Sequence, residues 1–236
     1  MKTLAVVAAR GGSLGVKNKN IRLMAGKPLI AYTIEQVLSW GKFDKFIVTT
    51  DSEQIAEIAK KYGASVPFLR PPELATSTVA KMDSLRHALL ASENYYETKF
   101  DALFDFDVTA PIRTINDIDN IFKLFLEKRP DCVFSVVRSK KNPYFNIVEK
   151  QADGTVRVSK ILSETILTRQ TAPEVFDMNV SLYIFSRDFL LDKNNKLPYA
   201  GKSYAYEMDE ISGIDIDSEL DFKFIEFLIE DKMVKL

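Results

Sequence analysis

Apolar runs of strand length alternate with amphipathic stretches of helical period along the first half of the chain. The apolar runs cover residues 3–9, 45–50, 65–69, 101–107 and 131–137, and the amphipathic stretches cover about 28–40, 52–62, 79–92 and 114–128. Strands that alternate with helices of this length are typical of right-handed βαβ units. The first run, TLAVVAA, is continuously apolar, as expected for a strand covered on both faces. The pattern predicts an α/β fold with a mainly parallel sheet and helices on both faces.

The pattern changes between residues 139 and about 180. Two short strands are predicted there around Asp153–Gly154, because Asp-Gly favours the tight turn of a hairpin. The segment carries more apolar side chains than a free loop can expose, so we expect an appendage that packs on another subunit. The main sheet is expected to resume at 180–185. We therefore interpret residues 1–236 as one domain with a hairpin appendage.

Composition restricts the class of protein without identifying it. The chain has 32 basic and 33 acidic residues and a formal net charge of −1. No global field draws such a protein to nucleic acid or to an anionic membrane, so we expect neither partner. The opening MKTLAVVAAR has too short an apolar run for a signal peptide, which favours a cytoplasmic protein. The single cysteine, Cys132, excludes an internal disulfide.

The loop after the first strand is rich in glycines and cations. They are Gly11, Gly12, Gly15, Arg10, Lys17 and Lys19. Glycines let backbone N–H groups approach an anion closely, and nearby cations favour one with several negative oxygens. Neither the Walker spacing nor the dinucleotide spacing fits, because the glycines fall in the wrong register. The loop predicts a polyphosphate site at the carboxyl end of a strand, where ligands bind in such sheets.

A second candidate site lies near the C-terminus, in GIDIDSELD. Asp215 and Asp217 alternate with Ile214 and Ile216, so in an extended segment both carboxylates lie on one face. Two hard oxygen ligands suit Mg²⁺, which also takes phosphate oxygens and water. The alternative is that Asp215 is solvated and that Asp217 caps the helix that follows, for which Ser218 is the other candidate cap.

A third group of acids ends the strand LFDFD. Asp105 and Asp107 share one face of that strand, and Thr109 follows. An unpaired carboxylate in so apolar a strand is costly, so each acid needs a partner. For Asp107 we expect a metal or a substrate hydroxyl, and for Asp105 a structural hydrogen bond. His87 is the only histidine, so no Ser/His/Asp triad competes for a catalytic role.

Five ordered segments together resemble the CMP-sialic acid synthetases, the cytidylyltransferases that activate nine-carbon acidic sugars. They are AARGGSLGVKNKNI with GKPLIAYTI, IVTTDSEQIAEIAKKYGA, RPPELATST, TAPIR and GIDIDSELD. The first resembles the family's nucleotide loop A-R-x-x-S-x-G-x-x-x-K-N, and the last its S-I-D-I-D-x-x-x-D. The resemblance implies a Rossmann-like nucleotidyltransferase fold, CTP at the carboxyl ends of the strands, and a hairpin appendage that reaches across a homodimer.

The resemblance also assigns residues. At the triphosphate it places Arg10, Gly11, Gly12, Ser13 and Lys19. Around cytosine and ribose it places Asn20, Arg70 and the loop from Ser77 to Lys81. It assigns the sugar to Asp107, Thr109, Arg169 and Asn179. It assigns Mg²⁺ to Asp215 and Asp217, and the main catalytic charges to Arg10, Lys19 and Asp217.

The chain departs from the family pattern at several of these positions. Leu14 stands where the family often has Lys, and Lys17 could compensate. Asp107 stands where Gln is usual, and Asp177 and Val180 replace Arg and Gly beside the sugar-binding Asn. The last changes fall where the family reads its sugar. The resemblance therefore leaves open legionaminic and pseudaminic acids beside N-acetylneuraminate.

Two other functions remain as alternatives. A cytidylyltransferase for the eight-carbon sugar 3-deoxy-manno-octulosonate shares the fold, but its usual loop, R-x-x-S-x-R-L-P-x-K, is not present in this chain. A nucleotide-binding regulator without turnover is the other, and the Leu14 departure is its support. The presence of Arg10, Lys19, Asp215 and Asp217 argues against it.

Overall fold

The main sheet has parallel strands on both sides of one antiparallel strand. The computed structural model describes residues 1–12, 15–164 and 166–236. Its strands there are β1 Thr3–Ala8, β2 Leu23–Met24, β3 Lys27–Pro28, β4 Lys45–Thr49, β5 Ala102–Phe106, β6 Cys132–Arg138, β7 Val148–Lys150, β8 Val156–Val158, β9 Phe176–Ser186 and β10 Ser203–Glu207. The sheet order is β10-β6-β9-β5-β1-β4. β1 is parallel to β4 and β5, β10 is parallel to β6, and β9 is antiparallel to β5 and β6. The mainly parallel sheet predicted from the sequence is confirmed.

Helices cover both faces of this sheet. They are α1 Leu29–Trp40, α2 Glu53–Lys61, α3 Lys81–Tyr95, α4 Ile115–Lys128, α5 Arg187–Leu191 and α6 Glu219–Glu230. Alternate side chains of β1 point to opposite faces. Ala5 and Val7 lie in a core with α1, α4 and α6, whereas Leu4 and Val6 lie in a core with α3 and α5. Among the described helices, none has the length and apolar composition needed to cross a membrane.

The elements that differ from the sequence prediction include one predicted strand that is absent and one strand that was not predicted. The predicted strand at 65–69 is wrong, because that segment makes only one bridge, between Ser65 and Ile47. Pro67 has no N–H to donate and so interrupts a continuous ladder. β10 is a strand that the sequence did not predict. Its polar and aromatic residues pair with the edge of β6, and they lack the apolar run that marked the other strands.

The predicted hairpin is present in the appendage. β7 and β8 pair antiparallel, with Val148 opposite Val158. Gly154 has a φ of +86°, a conformation that a residue with a Cβ rarely adopts, and Asp153 accepts a hydrogen bond from the backbone N–H of Thr155 at 3.0 Å. The large apolar side chains exposed here are Phe145, Ile147, Val148, Val156, Ile161, Leu162 and Leu167. A dimer contact through this surface stays a prediction.

Candidate active site

A cleft of about 470 Å³ opens at the carboxyl ends of β1 and β5. These are neighbouring parallel strands, so the residues that follow them lie at the same edge of the sheet. Seven of the residues assigned from the sequence line it: Arg10, Lys19, Asn20, Arg70, Asp107, Thr109 and Asp217. The structure therefore brings the glycine-rich loop, the end of β5 and the C-terminal acidic segment together around one cavity.

The glycine-rich loop is held at its start by three hydrogen bonds. Asn20 donates from its side-chain amide to the carbonyl of Arg10 at 2.9 Å. Arg10 donates from its guanidinium to the carbonyl of Thr76 at 2.9 Å, and the backbone N–H of Gly11 donates to Asp51 at 2.9 Å. The loop is thus tied both to the end of β4 and to the segment before α3. Gly12 is exposed, and the predicted Ser13 lies outside the described residues.

The end of this loop touches the acidic segment directly. A Cβ on Gly15 would overlap the carbonyl oxygen of Asp217 and lie 3.1 Å from its carbonyl carbon, so only glycine fits there. Lys19 donates from its ammonium to the carbonyl of Ile216. The two segments that the sequence assigned to phosphate and to metal are therefore in contact.

In the acidic segment, Asp217 is exposed and lines the cleft, whereas Asp215 is half-buried and does not line it. Ile216 is buried, and its N–H donates to the carbonyl of Thr109 at 2.9 Å, which anchors the segment beside β5. Ser218 is the N-cap of α6, in a capping box with Asp221, so the side chain of Asp217 is not the cap. This result favours the interpretation of Asp217 as a site residue over the cap interpretation.

Asp215 is half-buried and lies near two other acids and one cation. Burial raises its pKa, a hydrogen bond with Thr109 and the charge of Lys19 oppose this, and the charges of Asp107 and Asp217 raise it further. Its Oδ1 atom is buried and has no hydrogen-bond partner among the described residues. In those residues no group of three His, Cys, Asp or Glu side chains is arranged to hold a metal. The pair nevertheless fits Mg²⁺, which needs only one or two carboxylates when phosphate and water complete its shell.

An ion cluster ends β5. The ammonium of Lys81 lies 2.6 Å from Oδ2 of Asp105 and 2.6 Å from Oδ2 of Asp107. Asp107 also accepts hydrogen bonds from the N–H and the hydroxyl of Thr109, each at 2.8 Å. The sequence predicted that Asp105 needs a partner. The resemblance placed Lys81, now in the first turn of α3, at the end of the cytosine and ribose loop and did not identify it as this partner.

The charges within this cluster are strongly coupled. Burial raises the pKa of Asp105, and Lys81 offsets this only in part. Burial also raises the pKa of Asp107, but Lys81 and the hydrogen bonds from Thr109 outweigh it and lower the value to about 2. Burial lowers the pKa of Lys81, and the two carboxylates outweigh it, so the net direction is upward. Lys81 is therefore a permanent cation, and Asp107 a permanent anion, at neutral pH.

A buried arginine that sequence reasoning did not assign supports this end of the strand. Arg113 donates to the carbonyl of Asp107 at 2.7 Å and to the carbonyl of Ser181 at 2.7 Å. It also donates to Gln36 and Thr33, both at 2.8 Å. Burial lowers its pKa to about 10, so it remains charged at neutral pH. Arg113 fixes the turn that carries Asp107, and only its position in TAPIR gave a hint of this role.

The residues assigned to the cytosine and ribose region occupy different environments. Arg70 is buried and donates to the carbonyl of Thr49 at 2.6 Å and to the hydroxyl of Ser84 at 3.4 Å. Burial lowers its pKa, although Asp51 and Asp105 oppose the shift. Ser77 is exposed and does not line the cleft, whereas its neighbours Thr76 and Val79 do.

Two residues assigned to the sugar do not line the cleft of their own chain. Arg169 is exposed and lines a separate cavity of about 240 Å³ beside Arg138 and Glu174. Asn179 is buried, accepting from the hydroxyl of Ser135 at 2.6 Å and donating to the carbonyl of Ser212 at 3.0 Å. Their role at the sugar stays a prediction.

The comparison with known families identifies the class of enzyme. The model of the cytidylyltransferase family matches residues 4–233. The chain therefore belongs to the cytidylyltransferase family and is a nucleotidyltransferase.

The chain resembles two proteins of Campylobacter over almost its whole length. It is 46% identical over 229 residues to post-translational flagellin modification protein B of Campylobacter coli, covering 97% of this chain and 95% of that protein. It is 44% identical over 229 residues to CMP-N,N'-diacetyllegionaminic acid synthase of Campylobacter jejuni, with the same coverage of 97% and 95%.

Among solved structures, the chain is similar to CMP:2-keto-3-deoxy-manno-octonic acid synthetase complexed with CTP. The TM-score is 0.71 at 13% identity, covering 98% of this chain and 100% of that one. At this identity the likeness shows the fold alone. It confirms the predicted nucleotidyltransferase fold.

Proposed function

We propose that this protein transfers the CMP group of CTP to a nine-carbon acidic sugar and releases pyrophosphate. The observation that carries the proposal is the single cleft in which a glycine-rich loop with Arg10 and Lys19 meets the carboxylate Asp217. The membership in the cytidylyltransferase family supports the reaction class. In this reaction the anomeric hydroxyl of the sugar attacks the α-phosphate, and no protein group needs to form a covalent bond.

The protein's part in this reaction is positioning and charge neutralisation. Arg10 and Lys19 would contact the triphosphate, together with Ser13 and the backbone of Gly11 and Gly12. Arg10 and Lys19 are each anchored by a backbone carbonyl, which limits the reorganisation that binding requires. Asn20, Arg70 and Ser77 would surround cytosine and ribose.

Enzymes of this family commonly use a divalent metal, and we propose Mg²⁺ for this one. Asp215 and Asp217 would hold it, with the unpartnered Oδ1 of Asp215 as the oxygen that most needs a cation. When bound, such an ion neutralises charge on the phosphate oxygens. Lys19 lies against the same segment and would complete the positive charge at that end of the cleft.

For the sugar we propose a diacylamino nine-carbon acid of the legionaminic type. The Campylobacter jejuni relative named for that product, at 44% identity, supports this choice, as does Asp107 in the cleft. Asp107 and Thr109 would contact the sugar. Arg169 remains the proposed cation for the sugar carboxylate, because its planar guanidinium can donate two parallel hydrogen bonds.

We expect CTP to be preferred over UTP, ATP and GTP by about tenfold or more in kcat/KM, because a site that pairs with cytosine leaves polar groups unpaired with other bases. Pyrophosphate release is measured with each nucleotide, Mg²⁺ and a panel of acids. The panel contains N,N'-diacetyllegionaminic acid, pseudaminic acid, N-acetylneuraminate and 3-deoxy-manno-octulosonate. Preference for the eight-carbon acid would support the octulosonate alternative, and absence of turnover with every acid would support the regulator.

We also propose a homodimer whose contact is made by residues 139–168. Seven large apolar side chains of the appendage are exposed, Ile161 and Leu167 by 79% and 78%, and this concentration on one segment favours a partner that covers them. Sedimentation of the parent protein is expected to give about twice the monomer mass of 26.8 kDa. Changing both residues to Lys is expected to give monomers.

A matched control separates this effect from a general effect of surface charge. Leu220 on α6 is 76% exposed and lies outside the appendage, so Leu220→Lys is expected to remain dimeric. A parent protein that sediments as a stable, active monomer would contradict the proposed dimer.

A further inference from the structure

Lys81 is a lysine in a position that helix stability does not explain. It is the first residue of α3, where the positive end of the helix dipole disfavours a cation. Its side chain lines the cleft and is 37% exposed, while its ammonium is held by the two carboxylates at the end of β5. The position is favourable only because of those carboxylates, one of which also lines the cleft.

The donors of Lys81 are only partly used inside the protein. An ammonium has three N–H donors. Asp107 accepts a hydrogen bond from it at 2.6 Å, and Asp105 forms an ion pair with it at 2.6 Å, so at most two donors are directed at the carboxylates of the described residues. The ring of Tyr183 is 5.3 Å away at its centroid, too far to accept a direct hydrogen bond. One N–H therefore remains for a ligand in the cleft.

Asp107, which lies beside Lys81, has an unused hydrogen-bond acceptor position. A carboxylate offers about four acceptor positions. Thr109 uses Oδ1 twice and Lys81 uses Oδ2, so one acceptor position remains. Lys81 and Asp107 thus present one donor and one acceptor side by side, in direct contact with each other.

The charge of the cluster decides what such a pair can bind. Lys81 and the buried Arg113 balance the charges of Asp105 and Asp107, so the cluster has no excess charge and does not attract a phosphate, a carboxylate or an ammonium. A free ammonium on the ligand would meet Lys81 as a like charge. The suitable ligand is a neutral group that both accepts and donates, and a secondary amide has its C=O and its N–H close together.

The place of the cluster favours the sugar over the nucleotide. Gly11 of the triphosphate loop follows β1 and donates to Asp51 just beyond β4, whereas Arg10 donates to Thr76 in the segment before α3. Lys81 and Asp107 lie at β5 and face Tyr183 of β9, on the other side of β1 in the sheet.

We infer that Lys81 and Asp107 together bind an acylamino group of the sugar, with Lys81 donating to the amide carbonyl and Asp107 accepting from the amide N–H. This inference rests on the proposed function and deepens it. According to this inference, Lys81 and Asp107 distinguish an acylated amino sugar from its free amine. Asp105 acts as the positioning residue that holds Lys81 in place.

The test compares a diacylamino nine-carbon acid with its two mono-deacylated analogues, which carry an ammonium in place of one amide. Turnover of the diacylated acid by the parent enzyme tests the proposed function by itself, before any variant is compared. The parent is expected to reject one of the two analogues. In Lys81→Met this preference in kcat/KM is expected to fall by about tenfold to a hundredfold, because one charge-assisted hydrogen bond and one repulsion are removed.

Two further variants make the result specific. Lys81→Met leaves buried Asp105 without its cation, so Lys81→Met with Asp105→Leu is measured in parallel as an apolar replacement that preserves folding. Lys27→Met is the matched control, because Lys27 pairs with Glu35 at 2.6 Å and lies over the ring of Tyr32, away from the cleft. The control is expected to keep the parent's preference and its KM for CTP.

The inference predicts that both Lys81 variants lose the preference while the KM for CTP stays within about twofold of the parent value. If the KM for CTP rises as much as the preference falls, Lys81 belongs to the nucleotide site and the inference is wrong. It is equally wrong if both variants keep the full preference for the acylated sugar.

Discussion

Asp217→Asn and Asp215→Asn are each expected to lower turnover by about 10²–10³, because each removes one charged ligand from a site that stabilises phosphate charge. Chelation of divalent metal is expected to abolish turnover in the parent protein. The measurement is pyrophosphate release over a range of Mg²⁺ concentrations. The variants are expected to need more Mg²⁺ for half-maximal rate.

Stability is expected to change in the opposite direction at Asp215. A carboxyl whose pKa is raised in the folded protein favours folding only when protonated, so its charge destabilises the fold as pH rises above the unfolded pKa. Without metal, Asp215→Asn should therefore keep or raise the melting temperature at neutral pH while activity falls. Such a combination is typical of a residue retained for function at the expense of stability.

Asp209→Asn provides the matched control for both acids. Asp209 is exposed, lies just before the same segment and accepts a hydrogen bond from the N–H of Ile211 at 3.2 Å. An asparagine can accept the same bond, so turnover and Mg²⁺ dependence are expected to remain at parent levels. Near-parent rates of Asp217→Asn at low Mg²⁺ would contradict a metal role for that residue.

The parts of the site that could be predicted depend on residues that are close together in the sequence. The glycine spacing between Arg10 and Lys19 and the alternation of Asp215 and Asp217 with isoleucines are local features. The structure brings Arg10, Lys19 and Asp217 to the same cleft, with Ile216 buried as the alternation required, whereas Asp215 does not line that cleft. Local pattern also placed the Asp153–Gly154 turn, because that conformation depends on the residues of the turn alone.

The parts that could not be predicted depend on register between distant elements. Lys81 meets Asp105 only because α3 packs with its first turn against the carboxyl end of β5. Arg113 contacts the backbone of Ser181 in the antiparallel strand β9, and no pattern in the sequence indicates that β9 pairs with β5. The need of Asp105 for a partner follows from the cost of burying a charge, but the identity of the partner does not.

The edges of the sheet show the same limit. β10 has no apolar run, since an edge strand pairs on one side only and need not be buried. At 65–69 an apolar run does not become a strand, because Pro67 removes a ladder donor. In both cases the hydrophobic pattern predicts which residues are buried. It does not predict which strands pair, because pairing depends on backbone hydrogen bonds.

Gly15→Ala is expected to remove most of the activity, although it changes no charged side chain of the cleft. The added methyl group would overlap the carbonyl oxygen of Asp217, which is backbone and cannot rotate away as a side chain could. Either the glycine-rich loop or the acidic segment must move, so the triphosphate cations and the proposed metal ligands lose their mutual geometry. A displacement of about 1 Å in such a site is enough to cost about 10² in rate.

Gly12→Ala separates this clash from the general effect of adding a methyl group to the loop. A Cβ at Gly12 would meet no atom of the described residues within 4 Å, so the melting temperature of this variant is expected to match the parent value. The measurements are kcat/KM for CTP and thermal unfolding of both variants. Gly15→Ala is expected to lower kcat/KM by about 10² or more and to lower the melting temperature, since overpacking of this kind destabilises by about 1–3 kcal/mol. Parent activity in Gly15→Ala would show that the contact between the glycine-rich loop and the carbonyl of Asp217 is not needed to assemble the site.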